Sequence, residues 1–305
     1  MNLNFMNLVL DKTDFPEEAK VFFRELADKV IADGYEAEFD SFTDEYFDSG
    51  CDSGKLDGIL GEFAKKAGGS KFSYWMLMLI FAVERAKPMY DARGISDEVF
   101  WDTFADLRSK AVECHDVQGV WGTFVAFWYG LFYTCKIIKF GRLEYQECEC
   151  DNDNVYTVGD TEIRRGMKLL SIHIPSNFGS FNKEARMESY KMAYDFFSKA
   201  YGMDTIVFGC GSWLLCPVYR EVLGPESNVV SFMDDFKIIS SRSSDENFGD
   251  AWRVFGKAAH DGTPIAEWPE DTTMRRKIKA HLLAGGKTGS GRGYFAFDGE
   301  KLIND

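Results

Sequence analysis

The chain has 305 residues, of which 49 are acidic and 35 basic, so its formal net charge is −14. This charge argues against nucleic acid as a partner, because phosphates require a basic surface. It suits a small cationic molecule such as an amine, and a solvated acidic surface that keeps the protein soluble is the alternative. The length and the hydrophobic content of 45% fit a globular protein with two domains of ordinary size.

No segment of the sequence indicates secretion or a membrane. The N-terminus, MNLNFMNLVLDKTDF, lacks the basic start of a signal peptide. The longest apolar stretch, residues 74–83, is shorter than the ~18–20 residues that cross a bilayer. Seven cysteines without a secretion signal are typical of free thiols in a reducing cytoplasm. None of them has the spacing of a zinc site, so we expect no metal.

The first part of the chain has apolar residues at helical spacing. Predicted helices cover, in chain order, residues 14–34, 56–67, 73–87, 96–111 and 117–131, with an irregular segment or short helix over 36–48. The helix over 73–87 is apolar nearly all round, which predicts a place at the centre of a bundle. Near residues 131–139 the spacing changes to that of strands. We therefore predict a helical domain over residues 1–134 and a sheet domain over residues 135–305.

The second part of the chain has the alternating patterns of strands. We predict a strand over 140–148, in which Arg142 and Glu144 share a face with Gln146. The other predicted elements are a short strand after the turn at 151–154, strands over 229–232, 236–239 and 294–297, helices over 217–223 and 272–283, and a glycine-rich turn over 285–293.

A strand–helix–strand unit lies between residues 168 and 215. The apolar run LLSIHIP (169–175) is followed by a turn at 176–180, an amphipathic helix over 183–201 and a second apolar run, TIVFGC (205–210). Gly202 stands where a helix-ending glycine is expected. Two such strands pair in parallel, and ligands bind at their carboxyl ends, beside the helix N-terminus. We expect the site at that end.

Several short sequence motifs in the second part resemble those of a bacterial family of acyltransferase-domain proteins, which have a helical N-terminal and a GNAT-like C-terminal domain. In the order in which the family has them, the motifs are FGRLEY (140–145), HIP (173–175), CGSWLLCP (210–217), SNVVSF (227–232) and HLLAGG (281–286). The resemblance implies an α+β or α/β fold, in which the helical domain precedes a mixed β-sheet with a crossover helix.

The resemblance also implies an acyl-CoA, such as acetyl-CoA, as co-substrate. Pantetheine would run along the strand to Ile174, and the pyrophosphate would lie over the turn formed by Asn177, Phe178, Gly179 and Ser180. The superfamily pattern for this turn is Q/R-x-x-G-x-G/A, of which this chain has one glycine.

Acyl transfer to an amine requires a base, and His173 at the end of its strand is the first candidate. The alternative for His173 is a histidine that hydrogen-bonds inside the sheet. Glu144 is a second candidate base, with a structural salt bridge as its alternative. Cys210 is a candidate acyl-carrying nucleophile, with a buried apolar role as its alternative.

Three further roles complete the predicted site. Tyr219 stands where many GNAT enzymes carry a tyrosine that protonates the leaving thiolate, and core packing is its alternative. Arg142, Ser212 and Trp213 are the candidates for contacts with the substrate.

Together these residues predict an acyl-CoA-dependent N-acyltransferase that acts on a small amine. The single glycine of the turn favours the alternative, a noncatalytic protein that binds acyl-CoA or a metabolite on the same fold.

Overall fold

Helices form the first part of the chain and a mixed sheet the second, which confirms the predicted fold class. The computed structural model describes residues 1–305 and divides them into two units, Met1–Lys139 and Phe140–Asp305.

Eight helices build the first unit. They are α1 (Leu3–Lys12), α2 (Glu17–Ala32), α3 (Glu36–Asp48), α4 (Ser53–Ala67), α5 (Lys71–Ala92), α6 (Asp97–Phe104), α7 (Asp106–Gln118) and α8 (Gly130–Tyr133). Helix α5 contacts all the others, and its residues from Ser73 to Val83 are buried. An all-round apolar sequence needs apolar neighbours on every side, so α5 takes the central place that its pattern predicts.

The prediction of a helix over residues 117–131 is wrong. Helix α7 ends at Gln118, and Gly119 takes a left-handed φ of 74°. The chain then runs closely past the start of α5, where a Cβ on Gly122 would lie 2.5 Å from the backbone of Phe72. The N–H of Thr123 donates to the Phe72 carbonyl at 3.0 Å. This close backbone approach, which no local pattern encodes, replaces the middle of the predicted helix with a loop over 119–125, after which a 3-10 turn (Ala126–Tyr129) leads into α8.

The second unit contains most of the sheet and five helices. The strands are β1 (Ile137–Phe140), which begins before the boundary, β2 (Leu143–Glu149), β3 (Tyr156–Val158), β4 (Thr161–Ile163), β5 (Lys168–His173), β6 (Ile206–Ser212), β7 (Lys237–Asp245), β8 (Thr288–Phe297) and β9 (Leu302–Ile303). The helices are α9 (Lys183–Tyr201), α10 (Val218–Leu223), α11 (Asn228–Met233), α12 (Ala251–Phe255) and α13 (Thr273–Leu283).

Three predictions of local structure in this unit are wrong. Residues 229–232 lie in helix α11, capped by the Ser227 hydroxyl, because a short buried apolar run fits a helix as well as a strand. Arg142 lies in the tight turn between β1 and β2, where Gly141 has a φ of 59°, and so does not share a strand face with Glu144. The glycine-rich segment is mostly strand β8, because its glycines allow close contact with neighbouring backbone.

The main sheet has seven strands in the order β1-β2-β5-β6-β8-β7, with β9 beside β8. Strands β5 and β6 pair in parallel, as the strand–helix–strand pattern predicts, and β2 and β8 flank them antiparallel. Helix α9 begins after Asn182, whose side chain accepts from the N–H of Ala185, and ends at the left-handed Gly202.

The two faces of the sheet are covered by different elements. On one face, Tyr190 of α9 packs on Phe208 and Phe295, and the Tyr145 hydroxyl bonds Ser189 at 2.7 Å. On the other face, the small sheet of β3 and β4 packs through Val158 and Ile163 on an apolar cluster that includes Leu169, Val207 and Tyr294. Glu144, Gln146, Ser171 and His173 lie along this second face, whereas Cys210 shares the α9 face with Phe208.

Candidate functional site

Strands β5 and β6 part before either strand ends. Their parallel register consists of Leu170 opposite Phe208 and Ser171 opposite Gly209. Strand β5 nevertheless continues beside β2 as far as His173, and β6 continues beside β8 as far as Ser212. The carboxyl ends of the two strands therefore turn backbone groups towards a gap instead of towards each other. Such a gap can take an extended ligand that forms the missing ladder of hydrogen bonds.

A row of polar side chains follows the edge of this gap. In the antiparallel register of β2 and β5, Glu144 stands opposite His173 and Gln146 opposite Ser171. Residues two apart on a strand share a face, so all four lie on one face of the sheet. His173 keeps part of its surface exposed, whereas Glu144 is 1% exposed. The sheet thus brings together the two predicted bases, His173 and Glu144.

The hydrogen bond of His173 assigns its tautomer. Its Nε2 lies 2.9 Å from the amide oxygen of Gln146. Because an amide oxygen only accepts, Nε2 carries the proton and Nδ1 is the nitrogen that can take one up. Burial lowers the pKa of His173 to about 4, so the imidazole is neutral at pH 7. The neutral imidazole is a weak proton acceptor, because its conjugate acid is strong.

The turn after β5 has the backbone form of an anion site. Asn177 has a φ of 62° and Gly179 a φ of 79°, so two left-handed residues are separated by one. The N–H groups of Asn177, Gly179 and Ser180 donate to no protein acceptor. Left-handed residues in a turn can direct successive N–H groups towards a common centre, a geometry that binds phosphate. The turn lies just before the first residue of α9, and a Cβ on Gly179 would meet open space.

The remaining predicted cofactor residues lie beside this turn. Ile174 follows the last residue of β5 and is partly exposed, as is Phe178 within the turn. Ser180 is exposed, and its hydroxyl accepts from the N–H of Asn182 at 3.3 Å. These positions agree with a ligand that runs from the strand end over the turn.

Arg142 borders the gap from the turn between β1 and β2. Its Nη1 donates to the carbonyl of Pro175 at 2.9 Å, and its guanidinium lies over the ring of Phe181 at 5.3 Å. Burial lowers the pKa of Arg142, and the negative charge of Glu144 opposes that shift. Its Nε is buried and has no hydrogen-bond partner.

Cys210 has the properties of a core thiol. It is 2% exposed, and burial raises the pKa of its thiol to about 12. A nucleophilic cysteine needs a thiolate and an exposed, electropositive environment. The structure therefore favours the apolar role of Cys210 over the covalent one.

Tyr219, Trp213 and Ser212 stand together after β6. The Tyr219 ring packs edge-on against Trp213 at 5.6 Å, and Trp213 contacts Phe248 at 5.4 Å. The Tyr219 hydroxyl is buried without a hydrogen-bond partner, and burial raises its pKa above the ordinary value. Ser212 caps the turn that follows, since its hydroxyl accepts from the N–H of Leu214. Its hydroxyl is thus engaged in local structure.

Two residues around the gap were missed as site residues by sequence reasoning. Gln146 orients His173, and the fully buried Arg186 holds the Phe181 end of the turn. Gln146 carries a detectable signal, because it lies two residues from Glu144 on the predicted strand. The signal of Arg186 is weaker, because a charged residue within a helix is usually exposed and the sequence does not show that this one is buried.

Comparison with protein families decides the relationship. Residues 137–295 match the model of the GNAT-like C-terminal domain, and residues 4–135 match the N-acyltransferase N-terminal domain. The chain belongs to this GNAT-like family. The two matches confirm the family resemblance that the sequence motifs indicate. Comparison with curated proteins finds no matching relative.

Solved structures similar to this GNAT-like protein are acyltransferases. One, in complex with decanoyl-CoA and teicoplanin, is 20% identical with a TM-score of 0.71, over 93% of this chain and 85% of that chain. A complex with CoA and 10C-teicoplanin is 21% identical with a TM-score of 0.69, over 92% of this chain and 88% of that one. A decanoyl-CoA complex is 22% identical with a TM-score of 0.61, over 75% and 67%. At these identities the likeness establishes the acyltransferase fold alone.

Two further structural findings concern metal binding and membrane-spanning helices. No group of three or more His, Cys, Asp or Glu side chains comes together as a metal site would require. None of the helices combines the length and apolar content needed to cross a lipid bilayer.

Proposed function

We propose that this protein is an acyl-CoA-dependent N-acyltransferase that acts on a small amine. The observation that carries the proposal is the gap between β5 and β6, which has His173 at its edge and the left-handed turn at its end. A thioester with an extended pantetheine arm and a diphosphate matches both features, because the arm can pair with strand backbone and the diphosphate with free N–H groups. The acyl-CoA complexes of proteins with the same fold support this assignment.

In the proposed reaction the amine nitrogen attacks the thioester carbonyl, the carbon–sulfur bond breaks, and the proton lost by the amine balances the one gained by the thiolate. Nδ1 of His173 takes the proton from the amine, and Gln146 holds the ring in the tautomer this step needs. Backbone N–H groups that face the gap beyond Ser171 and Gly209 stabilise the oxyanion.

Tyr219 takes part as a hydrogen-bond donor to the departing sulfur. Its buried hydroxyl has no partner in the protein, and a thioester sulfur would supply one. The raised pKa of Tyr219 makes complete proton transfer to a thiolate, of ordinary pKa about 8.5, unfavourable. Donation of a hydrogen bond needs no such transfer. The thiolate then takes its proton from solvent or from the His173 imidazolium.

The acceptor class and the compartment belong to the same proposal. An amine acceptor is favoured by the net charge of −14, which attracts cations. Buried acidic Glu144, opposite His173, is the candidate contact for the ammonium form, which loses one proton to solvent before the amine attacks. All seven cysteines are free thiols, which fits the cytoplasm.

Gly179 offers a matched test of the donor site. Calorimetry would compare octanoyl-CoA binding to the wild type, Gly179→Asn and Gly179→Asp, because both side chains tolerate a left-handed φ and differ only in charge. We expect Gly179→Asp to weaken binding at least about tenfold more than Gly179→Asn, through repulsion of the diphosphate. Equal affinities of the two variants would place the donor elsewhere.

A noncatalytic acyl-CoA-binding protein is the second candidate. The low pKa of His173 and the single glycine of the turn favour it, since both differ from an efficient transferase. Release of free thiol from octanoyl-CoA in the presence of a panel of amines would distinguish an enzyme from a binding protein. Binding without amine-dependent release would select the second candidate.

A further inference from the structure

Arg186 makes five polar or ring contacts in the interior of the second unit, one of them with the Phe232 ring at 5.6 Å. It lies in the first turns of α9 and is 0% exposed. Its Nε donates to Oδ2 of Asp235 at 2.7 Å, its Nη2 to the hydroxyl of Ser231 at 3.0 Å, and its Nη1 to the carbonyl of Phe181 at 3.0 Å. The guanidinium also lies 5.4 Å from the centre of the Phe181 ring. The planar fork is thus fixed in direction by three acceptors, which lie in helix α11, in the turn after it and in the loop before α9.

The Phe181 end and the Pro175 end of the turn are both held by arginine. Arg142 binds the Pro175 carbonyl and lies over the Phe181 ring, while Arg186 binds the Phe181 carbonyl and packs on the same ring. The two left-handed residues, Asn177 and Gly179, lie between these fixed points. The backbone of the turn is therefore held at both ends by Arg142 and Arg186, and both guanidinium groups pack against the Phe181 ring.

We propose that Arg186 is a positioning residue for the diphosphate of the acyl donor: by holding Phe181 it keeps the N–H groups of the Asn177–Ser180 turn aimed at one anion. This inference rests on the proposed function and assigns to Arg186 the preference for a donor with a diphosphate over one without it. Replacement of a buried ion pair by apolar residues is often neutral for stability, so a network of this kind gives geometry more than it gives stability. A preorganised turn binds its anion without the cost of ordering its backbone.

The inference separates two ligands that share the same thioester end. Octanoyl-CoA carries the diphosphate, whereas S-octanoylpantetheine ends before it. If Arg186 acts through the turn, Arg186→Lys should weaken binding of octanoyl-CoA about tenfold or more and leave S-octanoylpantetheine within about twofold, both measured by calorimetry. A role of Arg186 in packing alone would weaken both ligands equally.

A second variant and a control complete the experiment. Phe181→Leu removes the ring that both guanidinium groups contact, and because Phe181 is partly exposed this change is compatible with folding. It should reduce the same selectivity, and it decides the question if Arg186→Lys does not fold. Arg220→Lys alters an exposed ion pair with Asp234 that does not touch the turn, and its selectivity should equal that of the wild type.

Each outcome has one meaning. Unchanged selectivity in folded Arg186→Lys or in Phe181→Leu would overturn the role of Arg186 while leaving the donor site intact. Equal binding of both ligands to the wild type would also overturn it, because no diphosphate contact would exist. Failure of the wild type to bind octanoyl-CoA at all would instead reject the proposed function.

Discussion

The helical unit and the sheet unit each bury an aspartate, with opposite surroundings. In the helical unit, Asp106 is 0% exposed, and neither carboxylate oxygen has a hydrogen-bond partner. The ammonium of Lys110 lies 3.9 Å from its Oδ1. In the sheet unit, Asp235 is 3% exposed, and its Oδ2 accepts from Arg186 Nε at 2.7 Å and from the Tyr190 hydroxyl at 3.0 Å.

This difference shows what buried charge does in each unit. Burial raises the pKa of Asp106 and the negative charge of Glu113 adds to the shift, whereas the positive charge of Lys110 and the nearby Tyr129 hydroxyl oppose it. A carboxylate without hydrogen bonds is costly in the interior, whereas one that accepts from two donors is stabilised and directs them. Of these two aspartates, only Asp235 holds its donors in place, and those donors adjoin the candidate site.

The largest effect is expected from the polar edge of the sheet unit. His173→Gln should lower turnover about 10²–10⁴-fold, the usual contribution of a positioned base. Burial lowers the pKa of His173 to about 4. Deprotonation of His173 should therefore raise the wild-type rate only near pH 4, and at higher pH it should cause no further increase. Amine-dependent thiol release at several pH values measures both.

His115→Gln is the matched control, since His115 is exposed in the helical unit and stacks on Trp121. Turnover of this variant should equal that of the wild type. If His173→Gln loses stability but keeps its turnover per folded molecule, His173 is a structural histidine and the base lies elsewhere.

Asp235→Asn tests the hydrogen-bonded member of the pair. The change leaves Arg186 buried without its counter-charge, so the free energy of unfolding should fall by about 2–4 kcal/mol in urea denaturation. Asp234→Asn, in an exposed ion pair one residue away, should change it by less than about 0.5 kcal/mol. Equal losses in the two variants would mean that burial does not distinguish them.

The low pKa of His173 also predicts a dependence of stability on pH. In the unfolded chain the pKa returns to about 6.5, so the unfolded state binds more protons than the folded state between pH 6.5 and about 4. The contribution to stability is complete above pH 6.5 and is lost as pH falls through that window. Between pH 7 and pH 5 the wild type should therefore lose about 1–2 kcal/mol more than His173→Gln. Parallel curves for the two proteins would contradict the lowered pKa.

Asp106→Asn should have the smallest effect and the opposite sign. Asparagine resembles the protonated acid, which burial favours, so the variant should be about 1 kcal/mol more stable than the wild type at pH 7. Because the folded pKa of Asp106 is raised, protonation stabilises the wild type as pH falls through that value, and the advantage of the variant should shrink. A loss of more than about 2 kcal/mol at pH 7 would show that the Lys110 contact outweighs burial.

Local patterns in the sequence determined the elements of the second unit that carry the candidate site. The periodicity of residues 183–201 and the glycine at 202 predict helix α9 and its end, because helical spacing and caps act over a few residues. The run over 169–175 predicts β5, and its parallel pairing with β6 follows from the crossover helix. His173 could be placed at the strand end for the same reason.

Tertiary structure alone decided what those elements do to one another. Residues 229–232 became helix α11, because a short apolar run satisfies both periods and distant packing selects one. The parting of β5 from β6 depends on their outer neighbours, β2 and β8, which lie far apart in the chain. The pKa of His173 and the three acceptors of Arg186 likewise depend on residues that only folding brings near, since burial and hydrogen bonding are properties of the surroundings.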